Sequence, residues 1–102
     1  MSQFYSLVIS KVVSLTHNAV EVSFKVPLDL SEQFVFKPGQ YVTVRASLDG
    51  EDIRRSYSIC SSPKDADYIS IGVKKIPGGK MSTFLTQDIK ELDVLDVMSP
   101  MG

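Results

Sequence analysis

The chain has 102 residues, 43% of them hydrophobic, one cysteine and a formal net charge of −1 at pH 7. That length and content suit one domain around one core, and the near-zero charge leaves no electrostatic footprint for nucleic acid or an anionic membrane. A single cysteine excludes an internal disulfide and a cysteine-only metal site, and no apolar run approaches the ~20 residues of a membrane span.

The start, Met1-Ser2-Gln3-Phe4-Tyr5, lacks the basic-then-apolar layout of a signal peptide. The default expectation is a cytoplasmic location, which the lone cysteine suits. A first strand is predicted from Tyr5 to Leu15, ending at a His17-Asn18 turn. Val20, Val22, Phe24 and Val26 then alternate with Glu21, Ser23 and Lys25, as in a strand with one buried face. Turn chemistry follows at Pro27 to Ser31 and at Pro38-Gly39. Val42, Val44, Ala46 and Leu48 alternate with Thr43, Arg45 and Ser47, and Asp49-Gly50 after them is a strong hairpin signature. The segment around Arg54-Arg55-Ser56-Tyr57-Ser58 reads as the returning strand. Beyond a turn at Pro63 to Asp67, Ile69, Ile71 and Val73 alternate with Ser70, Gly72 and Lys74. After Pro77-Gly78-Gly79 comes the one predicted helix, Lys80 to Lys90, whose apolar residues Met81, Phe84, Leu85 and Ile89 fall at helical spacing. A last strand spans Asp93 to Met98. Six short strands and one helix predict a small closed antiparallel barrel, because closure removes exposed edges.

Two stretches carry chemistry. Arg55, Tyr57 and Ser58 set a planar fork of donors, a flat aromatic face and a small hydroxyl within four residues. A flavin nucleotide needs such groups for its pyrophosphate, its ring system and a ring nitrogen. The plainer reading is an ordinary strand with a core tyrosine and a surface arginine, and Arg-Arg-x-x-Ser also fits a kinase-type site. Tyr57 and Ser58 point to opposite faces of a strand, so one ligand meets both only near a strand end or through backbone groups. The second stretch is Gly79-Lys80-Met81-Ser82 at the helix start, where free amides favour an anion. Its plainer reading is a glycine turn with Ser82 as a cap. Together, the two anion-binding devices point to one doubly charged ligand. Gly72, inside a strand, marks a bulge, a close ligand approach or a packing accommodation. Lys74 and Lys75 read as solvated charges, His17 as surface and Cys60 as packed. There is no nucleophile–base pair, metal-ligand spacing or phosphate-binding GxxxxGK[ST] loop.

Lys37-Pro38-Gly39-Gln40-Tyr41, Arg55-Ser56-Tyr57-Ser58, Gly72-Val73-Lys74, Gly79-Lys80-Met81-Ser82 and Pro100-Met101-Gly102, in that order, resemble the FAD-binding domain of the ferredoxin–NADP reductase superfamily. The likeness covers essentially residues 1–102. It is strongest to reductases of bacterial aromatic-degradation oxygenases, such as that of phenylacetic acid degradation, and extends to flavohaemoglobins. The resemblance implies a six-stranded Greek-key barrel with one capping helix and FAD outside it. By position, Arg55 would hold the pyrophosphate, Tyr57 would stack on the isoalloxazine and Ser58 would bond near its N5. Backbone of Gly72, Val73 and Lys74 would line the ribityl and ring. Amides of Lys80, Met81 and Ser82 after Gly79 would close on the pyrophosphate, and Tyr41 would lie close by. Plant-type relatives carry cysteine where Met81 stands, so that cysteine's role in hydride transfer is not carried over.

Such enzymes take hydride from NAD(P)H, bound by a further Rossmann-like domain, and pass electrons singly to an iron–sulfur or oxygenase acceptor. The sequence has neither GxGxxG nor a cysteine cluster, so it is expected to be one domain cut from a longer protein, incomplete as an enzyme by itself. The alternative is a non-catalytic β-barrel binding module for oligonucleotide or protein. A nucleic-acid barrel would carry a basic groove with stacking aromatics, and the sequence pI near 5.7 argues against that.

Overall fold

Alternating β-formers build the molecule, and their period of two decides which side chains meet. The computed structural model describes residues 3–102. Strands β1 (Phe4–Thr16) and β2 (Ala19–Lys25) pair through the tight turn at His17-Asn18. Strands β3 (Tyr41–Leu48) and β4 (Glu51–Ser58) pair through Asp49-Gly50, both at positive φ (53° and 78°), the conformation this dipeptide readily adopts. β5 (Tyr68–Lys74) pairs with β2, and β6 (Val94–Met98) is inserted between β3 and β1. The sheet is antiparallel, six strands in the order β4-β3-β6-β1-β2-β5, so the last strand lies between the first and the third, as in a Greek key.

The inward rows are those the alternation predicts. Leu7, Ile9, Val22, Phe24, Val42, Val44, Ile69, Ile71, Val73, Leu95 and Val97 fill the centre. A short helix, α1 (Lys80–Thr83), and one π-helical turn (Phe84–Asp88) cover one end, burying Met81 and Leu85. A 3-10 helix at Leu28–Phe34 sets Phe34 edge-on to Tyr5, with ring centroids 5.7 Å apart.

Several expectations are corrected. The sheet is not a closed barrel: β4 and β5 are its two edges, joined only by an isolated bridge between Ile59 and Ile71. The predicted helix to Lys90 stops at Asp88, and its second half is a π turn closed by the Ile89 N–H donating to Phe84 O at 3.3 Å. Thr86 explains the change. Its hydroxyl bonds back to Ser82 O at 2.7 Å, the kind of side-chain bond that distorts a short helix. The 3-10 helix replaces what reads as a turn, and β1 extends one residue past each predicted end while bulging near Ser10 and Leu15. Ser23 and Ser70, expected outside, are buried with hydroxyls 2.7 Å apart. The chain after β4 folds across them: the Cys60 N–H donates to Ser70 O and the Ser70 N–H to Ser61 Oγ, both at 2.9 Å. Cys60 itself is exposed rather than packed.

Leu85 is completely buried under the helical cap. Leu85→Ala is expected to destabilise the chain by about 2–5 kcal/mol. Urea denaturation followed by circular dichroism measures it as a lower midpoint with unchanged slope.

Candidate functional site

Register places the predicted residues of β3, β4 and β5 along the open seam. In β3 and β4 Tyr41 pairs with Ser58, Val42 with Tyr57 and Val44 with Arg55. Arg55 and Tyr57 therefore share the inward side of β4 with Ile53. Ile53 is buried, yet Tyr57 is only half-buried and Arg55 is exposed. They look out through the gap where a β4–β5 ladder would otherwise close the wall. Burial pushes the Tyr57 phenol up, and the neighbouring Arg55 guanidinium draws it partly back.

Ser58 is the last residue of β4, the position at which both faces of the strand become reachable from one place. The Ile59 N–H donates to Gln40 O at 3.0 Å. Ladder alternation then turns the Ser58 N–H toward the seam. One step back from the Ile59–Ile71 bridge, Ser58 lies opposite Gly72. Tyr41, Ser58 and Gly72 thus form one row on the outer surface. Tyr41 exchanges both backbone hydrogen bonds with Met101, each 2.9 Å, and a Cβ on Gly102 would sit 3.2 Å from the Tyr41 ring.

Gly72 has a definite environment. Its register with β2 is unbroken, so it makes no bulge. A Cβ added to it would meet nothing within 4 Å, so it makes no packing accommodation either. The backbone of Gly72 thus faces open space, with neither a bulge nor a neighbour that requires glycine there. Val73 and Met81 are buried in the core and Lys74 is exposed, so the first two have only backbone to offer outward.

The turn into α1 is tightly built. Ser82 is buried, and its hydroxyl accepts the Ile76 N–H at 2.9 Å. A Cβ on Gly79 would meet that hydroxyl at 2.8 Å, so only glycine fits there. Ser82 is therefore a brace for the turn rather than a helix cap. The amides of Lys80, Met81 and Ser82 donate to no group among the described residues.

Charge pairing isolates Arg55. Of the three arginines, Arg45 is held by Asp96 at 2.9 Å and Arg54 by Asp52 at 3.2 Å. Among the described residues Arg55 donates only to the carbonyl of Arg54, at 2.7 Å, and has no carboxylate partner. Glu51, which sequence reasoning missed, pairs with Lys80 and ties the β3–β4 hairpin to the helix start. The Asp49-Gly50 turn is the sequence feature that places Glu51 at that end of the sheet.

The family described as "Oxidoreductase FAD-binding domain" matches residues 6–102. The chain is 45% identical over 102 residues to a component of the 1,2-phenylacetyl-CoA epoxidase of Escherichia coli (strain K12), covering 100% of this chain and 28% of that protein. It is 38% identical over 98 residues to the toluate 1,2-dioxygenase electron transfer component of Pseudomonas putida, covering 96% of this chain and 28% of that protein. Its fold is similar to that of a ferredoxin NADP+ reductase from Neisseria gonorrhoeae solved with bound FAD and NADP, with TM-score 0.81, 22% identity, and coverage of 100% of this chain and 39% of that one. The chain thus spans about a quarter of the length of the two curated relatives. The match to an oxidoreductase family removes support from the alternative of a non-catalytic binding module.

The Lys80 ammonium, by hydrogen bond and then by charge, holds the Glu51 carboxyl below its ordinary value of 4.5. A depressed carboxylate contributes stability above its unfolded value and loses it as pH falls through the folded one. The hairpin-to-helix tie is therefore expected to release as pH drops below 4.5. Amide chemical shifts of Asp49 and Gly50, followed by NMR against pH, should show that step, and Glu51→Gln should abolish it.

Proposed function

The chain belongs to the oxidoreductase FAD-binding domain family, and from that membership we propose that the β4–β5 seam holds FAD and that residues 1–102 are the flavin unit of an NAD(P)H-dependent electron-transfer reductase. The observation that carries the assignment of residues is Arg55, the one arginine without a carboxylate partner among the described residues, beside a strand edge left open. Arg55 would hold the pyrophosphate with the free amides of Lys80, Met81 and Ser82, while Gly79 lets the backbone turn tightly there. Tyr57 would offer its ring to the isoalloxazine, with Tyr41 near it. Ser58 would bond near the reactive nitrogen through its hydroxyl and its seam-facing N–H. The open surface over Gly72, with backbone of Val73 and Lys74, would receive the ribityl and ring. These groups suit the cofactor: unpaired donors stand where an anion is needed, and bare backbone where a flat ring must approach.

The chemistry a bound flavin supplies is acceptance of a hydride and release of electrons one at a time. The chain's own part is to bind, orient and shield. The half-buried Tyr57 phenol stays protonated, and the Ile59–Ile71 bridge fixes one end of the seam. We infer further that this unit serves an oxygenase of aromatic degradation and passes electrons to an iron–sulfur centre. The phenylacetyl-CoA epoxidase and toluate dioxygenase relatives support that reading. Nicotinamide binding is assigned outside these residues, because the sequence has no GxGxxG loop to hold a dinucleotide.

Arg55→Ala is expected to weaken FAD binding by roughly 1.5–3 kcal/mol, with lysine restoring only part. Titration calorimetry checks it; unchanged affinity would sink the assignment.

Gly72→Ala separates folding from binding. In the FAD-free chain the variant should be as stable as the parent or more so, by up to ~0.5–1 kcal/mol, because the added methyl meets nothing. FAD affinity should nevertheless fall. Equal FAD affinity in a stably folded Gly72→Ala protein would remove the cofactor from that strand.

A further inference from the structure

The outer row that runs through Tyr41, Ser58 and Gly72 continues one strand further, to Glu21. Glu21 pairs directly with Gly72 on β2, and its other neighbour, on β1, is Val13. Its carboxylate is half-buried and takes no part in any ion pair or hydrogen bond among the described residues. The rest of the row is neutral, a tyrosine, a serine and a glycine, and the cation nearest to it along β5, Lys74, forms no ion pair among the described residues. Lys11 and Lys25 line the adjoining groove of about 470 Å³ with Glu21, yet neither comes within ion-pair distance of it.

We propose that Glu21 is the residue that sets the reduction potential of the flavin, acting as a fixed negative charge at the edge of the site beside Gly72. The inference rests on the reading that the isoalloxazine lies over that row. Adding two electrons and one proton to an isoalloxazine leaves it with one more negative charge. A carboxylate a strand's width away opposes that gain, because charges separated by several ångströms near a protein surface still interact by kilocalories. Glu21 thereby favours the oxidised ring and makes the reduced one a stronger electron donor. Cys60, which alternates with Ser58 and faces the same row, is near enough to feel this charge: partial burial first and Glu21 second push its thiol up, against a backbone hydrogen bond that lowers it.

The test is the potential of FAD bound to the 102-residue chain, read by dithionite titration against a reference dye, with FAD affinity measured separately by calorimetry. Glu21→Gln should leave the affinity for oxidised FAD unchanged and favour the reduced form about tenfold, a rise of ~30 mV for a two-electron couple. Glu21→Lys should raise the potential further. Glu91→Gln, an exposed carboxylate removed from the row, should leave it where it was. An unchanged potential in Glu21→Gln and Glu21→Lys with normal FAD binding overturns the role of Glu21. An equal rise in Glu91→Gln also overturns it, because net charge rather than position would then be responsible. If the parent chain binds no FAD, the seam reading itself fails and this inference with it.

Discussion

Strands β4 and β5 share one bridge, at Ile59 and Ile71, where a closed barrel would carry a full ladder. Most features of the site follow from that missing ladder. It lets Arg55 stand on the inward side of its strand, opposite the buried Val44, without the cost of a buried charge. It leaves Tyr57 half-covered, and it exposes the backbone of Gly72. The remaining pairings supply rigidity on either side: β3 with β4, β2 with β5, and the helical cap anchored by Met81 and Leu85.

Charge pairing on the neighbouring surface occupies Arg45 and Arg54. Arg45 and Arg54 lie over the Phe4 ring, 4.0 and 5.1 Å from its centroid, and each is also tied to an aspartate. Those two cations are committed to the outer face of β3 and β4. Of the three arginines, Arg55 is the one with no carboxylate partner among the described residues. A strand with two adjacent arginines thus divides its labour by alternation, one side chain bracing the sheet and the next facing the gap.

The parts of this arrangement differ in how legible they were. The strands β2 and β5 announced themselves because each buries one face fully, and β3 because Val42 and Val44 are buried and Ala46 and Leu48 partly so, which keeps the period of two in Val20 to Val26, Ile69 to Val73 and Val42 to Leu48. β4 was legible less from alternation, since its inward row of Ile53, Arg55 and Tyr57 looks partly out of the molecule, than from the Asp49-Gly50 turn that returns it alongside β3. The absence of closure was equally hidden: nothing in the alternation of two edge strands tells whether they meet. Thr86 carried no warning that its hydroxyl would widen the helix. For the site, the residue types in Arg55, Tyr57 and Ser58 and the spacing to Gly79 pointed to the region where the seam opens. The pairing that isolates Arg55 depends on Asp52 and Asp96, and the tie at Lys80 depends on Glu51. The Asp52 contact is local, two residues along one strand face, but those of Asp96 and Glu51 are set by how distant elements meet, which local sequence does not encode.

An unpaired strand edge is also a template on which another chain can add a strand. The seam therefore exposes two such edges in any molecule whose site is empty. Their composition answers the hazard in part. β4 presents Glu51, Asp52, Arg54 and Arg55 along its length, and charges of both signs disfavour in-register stacking of like strands. Tyr68 to Lys74 has far less protection, with Lys74 its only charge and Gly72 leaving the backbone bare. A ligand lying across Gly72 would cover that edge, so occupancy of the site and resistance to self-association are properties of the same strip of backbone.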